Sequence, residues 1–218
     1  MTTLPSGVSG WSYSNFSHLG NEATAYTASG GVLFQNTMGL YNGGAGSDCY
    51  IKTVAPDQTL DWVLEARVRV LDWEITDAAG GNERFAAGFY ATPVSQMGVY
   101  PSYIDPVSGA SRPEGAIDHA DNNLYGAATV AQWHTYKVCG SATTGARTLY
   151  IDGIVMATDF GPLLPPTVDL LVGDLTGRGN ARAEWDYYHF YQVVPAPSGI
   201  TIVAAAGWFG LARRRRMR

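Results

Sequence analysis

The chain reads as an all-β protein, an antiparallel sandwich, and three features of the sequence carry that expectation. Apolar and polar residues alternate with a period of two along several segments. Turn-formers punctuate those segments, with 26 Gly and 11 Pro among 218 residues. No stretch before Ile200 holds helical periodicity for three turns. Charged residues make up 15% of the chain, against about 25% in an average globular protein. That composition excludes a coiled coil, a helical bundle and a disordered acidic chain. The length suits one domain with a tail.

The strands follow in order. Trp62 to Val70 places Trp62, Leu64, Ala66, Val68 and Val70 on one face and Glu65, Arg67 and Arg69 on the other, the pattern of a half-buried strand. Arg84 to Ala91 repeats it with Phe85, Ala87, Phe89 and Ala91, after a Gly80-Gly81-Asn82 turn. Trp133 to Val138 and Arg147 to Ile151 are two more strands. Asp152-Gly153 then interrupts before Ile154 to Ala157, and Asp-Gly between apolar runs signals a tight hairpin. Val168 to Val172 and Ala183 to Val193 complete the series. Trp62, Trp133 and Trp185 sit within these patterns and are expected in the core, and His134 is expected to be structural.

The succession Trp133-His134-Thr135-Tyr136-Lys137-Val138, Thr148 to Gly153, Val172-Gly173-Asp174 and Glu184-Trp185-Asp186-Tyr187 resembles laminin-G-like domains. These belong to the concanavalin A-like lectin/glucanase group. The resemblance spans about residues 10–193 and implies a jelly-roll sandwich over residues 1–193. The same fold hosts lectins, adhesins and hydrolases, so it does not by itself assign an activity.

Residues 194–218 read as a separate device. Val194, Pro195, Ala196, Pro197 and Ser198 form a Pro-rich hinge. Ile200 to Leu211 follows without a charge, and then come Arg213, Arg214, Arg215, Arg216 and Arg218. As a short apolar helix, residues 199–212 would span roughly 21 Å, against about 30 Å of bilayer hydrocarbon. The arginines would hold their side cytoplasmic. This order of elements resembles the PEP-CTERM sorting signal, with Ala196 where that family's motif has Glu. The resemblance implies a bacterial exosortase as processing partner, a membrane contact through the apolar helix, and a cell-surface, envelope or secreted location. A plain membrane anchor, or a final core strand with a basic tail, is the alternative. Met1 to Gly20 lacks a basic segment and an apolar run, so export calls for a leader upstream of Met1.

Without the five tail arginines, residues 1–212 carry 9 basic and 19 acidic side chains, a formal charge of −10. An acidic body argues against nucleic acid as a partner. Glycan or extracellular matrix fits better. Tyr90 to Tyr125 combines aromatic rings able to stack on sugars with side chains able to bond hydroxyls: Tyr100, Tyr103, Asp118, His119, Asp121, Asn122, Asn123 and Tyr125. Asp118, Asp121 and Asn123 could supply three of the six to eight oxygens that Ca²⁺ takes. The competing reading is a solvated polar loop of turn-forming Asp and Asn.

Other chemistry finds less support. Glu184-x-Asp186 begins the Glu-x-Asp-x-x-Glu signature of glucanases on this fold, but His189 occupies the third position. Glu184 is then expected to cap its strand and Asp186 to bond a neighbouring loop. Asp72 and Glu74 likewise lack a third carboxylate. No Gly-x-Ser-x-Gly elbow or phosphate loop occurs. Cys49 and Cys139 could close a disulfide in an exported domain or remain two buried thiols. The expectation is a non-catalytic binding domain for glycan or matrix; a structural or adhesive surface protein and a glycoside hydrolase are the alternatives.

Overall fold

The structure, a computed structural model, describes residues 3–8, 10–16, 19–40, 47–75, 87–101, 103–104, 111–112, 114–118, 123–126, 129–175 and 179–194. The first half holds β1 (Ser12–Phe16), α1 (Glu22–Ala25), β2 (Tyr26–Ser29), β3 (Val32–Asn36), β4 (Ser47–Val54), β5 (Asp61–Ile75), β6 (Ala87–Thr92) and β7 (Ser95–Tyr100). Then come β8 (Tyr103–Ile104), β9 (Ser111–Arg112), β10 (Gly115–Asp118), β11 (Asn123–Gly126) and β12 (His134–Gly140). The last four are β13 (Ala146–Ile151), β14 (Ile154–Phe160), β15 (Val168–Asp174) and β16 (Gly179–Val193).

Two seven-stranded antiparallel sheets face each other. The first runs β1-β4-β15-β6-β7-β10-β11 and the second β14-β13-β12-β5-β16-β3-β2; β8 and β9 form a separate ribbon. The predicted face of β5 is the core face: Trp62, Leu64, Ala66, Val68 and Val70 are all buried, and Glu65, Arg67 and Arg69 lie half-buried on the other side. Phe89 from the first sheet meets Tyr136 and Trp185 from the second with ring centroids 6.2 and 6.4 Å apart.

The Asp152-Gly153 turn joins β13 to β14 as expected, both residues at positive φ (51° and 79°). It also fastens the start of β12. Asp152 accepts from the Thr135 N–H at 2.9 Å and lies 2.6 Å from His134 Nδ1. Burial works against the Asp152 carboxylate, but the Thr135 N–H and His134 outweigh it and hold its pKa below the usual value. His134 is 5% exposed and structural, as expected.

Several expectations change. Tyr90 to Tyr125 is not one polar loop, since β7, β8, β9, β10 and β11 lie within it. Val94, Met97 and Val99 are fully buried there. Trp133 is not a core residue. It lies half-buried on the outer side of the second sheet, over the Arg67 and Arg69 guanidiniums at 5.4 and 4.9 Å from its ring centroid.

The cysteines are both free, which corrects the disulfide alternative. Cys49 lies in β4 of the first sheet and Cys139 in β12 of the second. Along β12, His134, Tyr136 and Val138 are the buried set. Strand alternation therefore turns Cys139 away from the opposite sheet. Burial, with Asp174 and Asp48 nearby, pushes the Cys49 thiol up to about 12. The Gly80-Gly81-Asn82 turn lies outside the described residues, as do residues 195–218 with their hinge, apolar segment and arginines.

Candidate functional site

Two places in the fold bear on function: the β7-β10-β11 edge of the first sheet, and the outer face of the second sheet along β5 and β16. At the first, β10 pairs antiparallel with both β7 and β11. Gly115 stands opposite Tyr100 on one side and Gly126 on the other. Tyr125 stands opposite Ala116, and Asp118 opposite Asn123. The hairpin register thus brings Tyr100, Asp118, Asn123 and Tyr125 into one three-stranded edge, with Asp118, Asn123 and Tyr125 on one face and Tyr100 on the other. Tyr103 is not in that sheet, because β8 pairs with β9 in the separate ribbon. His119, Asp121 and Asn122 belong to the connection between β10 and β11 and lie outside the described residues.

For a cation, Asp118 and Asn123 are hard oxygen donors of the kind Ca²⁺ takes. Among the described residues, no group of three or more His, Cys, Asp and Glu side chains is placed to hold a metal.

The second place holds the carboxylates that a hydrolase on this fold would use. Glu184 does not cap a strand. It sits within β16 opposite Arg69 of β5 and accepts from Arg69 Nε at 2.8 Å. Asp186 does not reach a loop either. It pairs with Arg67 Nη1 at 2.7 Å. Sequence reading missed both arginines because they lie 115 and 119 residues away along the chain, and only the β5–β16 register brings them in. Between Trp185 and Tyr187 the ladder slips, so simple alternation does not carry from Glu184 to His189. His189 stacks instead on Tyr187, with centroids 5.0 Å apart, and the Tyr187 hydroxyl donates to Glu65 Oε1 at 2.7 Å. Glu74 is also structural, accepting from Asn180 Nδ2 at 2.9 Å and from the Gly39 N–H.

A retaining glycosidase needs one carboxylate free to attack and another able to give up a proton, about 5–5.5 Å apart. Here each candidate is already engaged by a guanidinium, Glu184 by Arg69 and Asp186 by Arg67.

No protein-family model matches this chain, and no curated protein matches it. Solved structures do. The VIP36 exoplasmic/lumenal domain in its Ca²⁺/Man3GlcNAc-bound form is similar with a TM-score of 0.53 at 12% identity, over 89% of each chain. Peanut lectin bound to a nine-residue peptide gives 0.54 at 8% identity, over 89% of this chain and 97% of the lectin. A sialidase gives 0.52 at 7% identity over 85% of this chain, but only 17% of that one is covered. At such identities the likeness establishes the fold alone, a two-sheet antiparallel sandwich like that of these concanavalin A-like lectin neighbours.

Proposed function

We propose that this chain is a non-catalytic glycan-binding domain, exported and displayed at a bacterial envelope through residues 194–218. The observation that carries the reading is the capture of Glu184 and Asp186 by Arg69 and Arg67. It occupies the two carboxylates that a hydrolase would use, on a fold shared with lectins. The site is the β7-β10-β11 edge, where Tyr125 offers a ring and Asp118 and Asn123 offer oxygens from one face; Tyr100, opposite Gly115, belongs to the other face. Asp118 and Asn123, with Asp121, would hold a Ca²⁺, which supplies charge to fix the carboxylate and amide and to meet sugar hydroxyls. Comparison with VIP36 supports this choice, since that domain is recorded with Ca²⁺ and mannose sugars. Extracellular matrix glycans belong to the same ligand class.

The tail supports the location. Its hinge, apolar run and arginine cluster are what an exosortase-type enzyme and a membrane would engage.

A glycan array probed with the full chain tests the binding. Binding is expected in the presence of Ca²⁺ and lost on chelation. Asp118→Asn should weaken it about tenfold or more, the scale of losing one charged hydrogen bond, without moving the thermal midpoint. An array without a single bound glycan would overturn the reading in favour of an adhesive or structural protein. Binding indifferent to both chelator and Asp118→Asn would remove the calcium site.

A further inference from the structure

Strand β16 has an open flank. On one side it pairs with β5 along its length, from Gly179 opposite Ile75 to Val193 opposite Asp61. On the other side β3 accompanies it only from Arg182 to Trp185, whose partner is Leu33. Past Val32 the chain turns away through Gly30 and Gly31, both at positive φ, into β2. Among the described residues, no strand pairs with β16 on that flank from Asp186 to Val193.

A groove follows the flank. Trp185 to Tyr188 line a cavity of about 130 Å³ whose far wall includes Val8 and Trp11. Tyr188 to Tyr191 line an adjoining cleft of about 420 Å³ walled by Trp11, Lys52, Val54 and Leu170. Successive residues of a regular strand point to opposite faces, so past the slip between Trp185 and Tyr187 only the strand's edge can present Tyr188 to Tyr191 together to one space. The groove therefore exposes backbone. An unpaired edge is a template for a further strand.

We propose that Ile200–Val203 of the chain's own C-terminal segment adds to this edge as an antiparallel strand. Four observations select that occupant. The described chain ends at Val194, which is exposed and immediately follows β16. Pro195, Pro197, Ser198 and Gly199 come next, and these are turn-forming residues suited to reversing the chain. Ile200, Thr201, Ile202 and Val203 are all β-branched, the residues that favour a pleated, half-buried surface. Tethering keeps the segment at an effective concentration in the millimolar range, and five arginines follow it beside a body of charge −10. Docking also covers Tyr191 and Val193, which are 46% and 44% exposed. The groove then shelters part of the apolar segment until a membrane or processing enzyme takes it. Its failure would leave the glycan reading and the sorting reading untouched.

Amide exchange on the full chain tests the proposal, comparing wild type with Thr201→Pro. Thr201→Pro alters none of the described strands, so its thermal midpoint should stay close to that of the wild type. Alternate amides of residues 187–193 should exchange about tenfold or more faster in the variant. Disulfide trapping gives a second readout in a Cys139→Ser background. Tyr191→Cys, paired in turn with a cysteine at 200, 201, 202 or 203, should cross-link strongly at alternate positions. Equal exchange in both proteins and uniform cross-linking would overturn the proposal. Protection that survives Thr201→Pro and rises with protein concentration would overturn it in favour of a second copy in the groove.

Discussion

Trp185→Ala should lower the unfolding free energy by about 3–5 kcal/mol, the range for emptying a buried aromatic site. Trp185 is 2% exposed and meets Phe89 of the opposite sheet edge to face, at an interplanar angle of 82°. It is also the last residue of β16 held by β3, and it lines the cavity that begins there. Its indole N–H donates to Gln35 Oε1 at 3.1 Å, and Gln35 is fully buried. Truncation therefore leaves a cavity and an amide oxygen without that donor, and the second effect alone costs about 1–3 kcal/mol. Trp185→Phe loses the donor and part of the indole's volume but leaves a smaller cavity, so it should cost less than the alanine variant. Urea unfolding of the three proteins measures the difference. A loss below about 1 kcal/mol for the alanine variant would mean that Trp185 does not join the sheets as described.

Gly173→Ala should be comparably damaging, by about 2–6 kcal/mol, from backbone strain plus overpacking. Gly173 has φ +129°, and an added Cβ would stand 2.2 Å from Tyr26 Oη and 2.9 Å from the Asp48 carbonyl oxygen. That hydroxyl is a joint in the fold. It donates to the Asp48 carbonyl and accepts from the Asp174 N–H at 3.1 Å. Tyr26 belongs to β2 of one sheet, and Asp48 and Asp174 to the other. The methyl group cannot be placed without moving Tyr26. Gly153→Ala is the matched control: its φ is +79°, but nothing lies within 4 Å of the new Cβ, so only strain remains. The two thermal midpoints should separate clearly, with Gly173→Ala the lower. Equal midpoints would show that crowding at Tyr26 contributes nothing.

The parts of the fold legible in the sequence are those with one wet face. β5, β12 and β13 alternate cleanly because water lies on one side and the core on the other. β6 is legible as the alternating run from Arg84 to Ala91, but β7 is harder to read because residues of both parities are buried; Met97, Gly98 and Val99 all lie inside. In β4, Asp48, Cys49 and Tyr50 are likewise buried in succession. A polar residue on such a strand reads as a turn, which is why Tyr90 to Tyr125 looked like a loop.

The candidate sites divide along a similar line. Asp118 and Asn123 are near neighbours in sequence, and the hairpin that sets them opposite each other is a local event. The arginine partners of Glu184 and Asp186 depend on a long-range register that the sequence does not display. The same holds for Trp133. Its place in an alternating strand suggested core, and the two guanidiniums that hold it on the outer face come from β5, more than sixty residues earlier.

If Glu184 and Asp186 are structural, a glycan should leave this protein unchanged. The most direct test is to incubate an oligosaccharide bound on the array, and separately a β-glucan, with the full chain, then measure reducing ends and product masses. The ion-paired arrangement predicts intact glycan and no new reducing ends, for wild type and Asp186→Asn alike. Shortened products that disappear in Asp186→Asn would make this chain a hydrolase and contradict the binding-only reading.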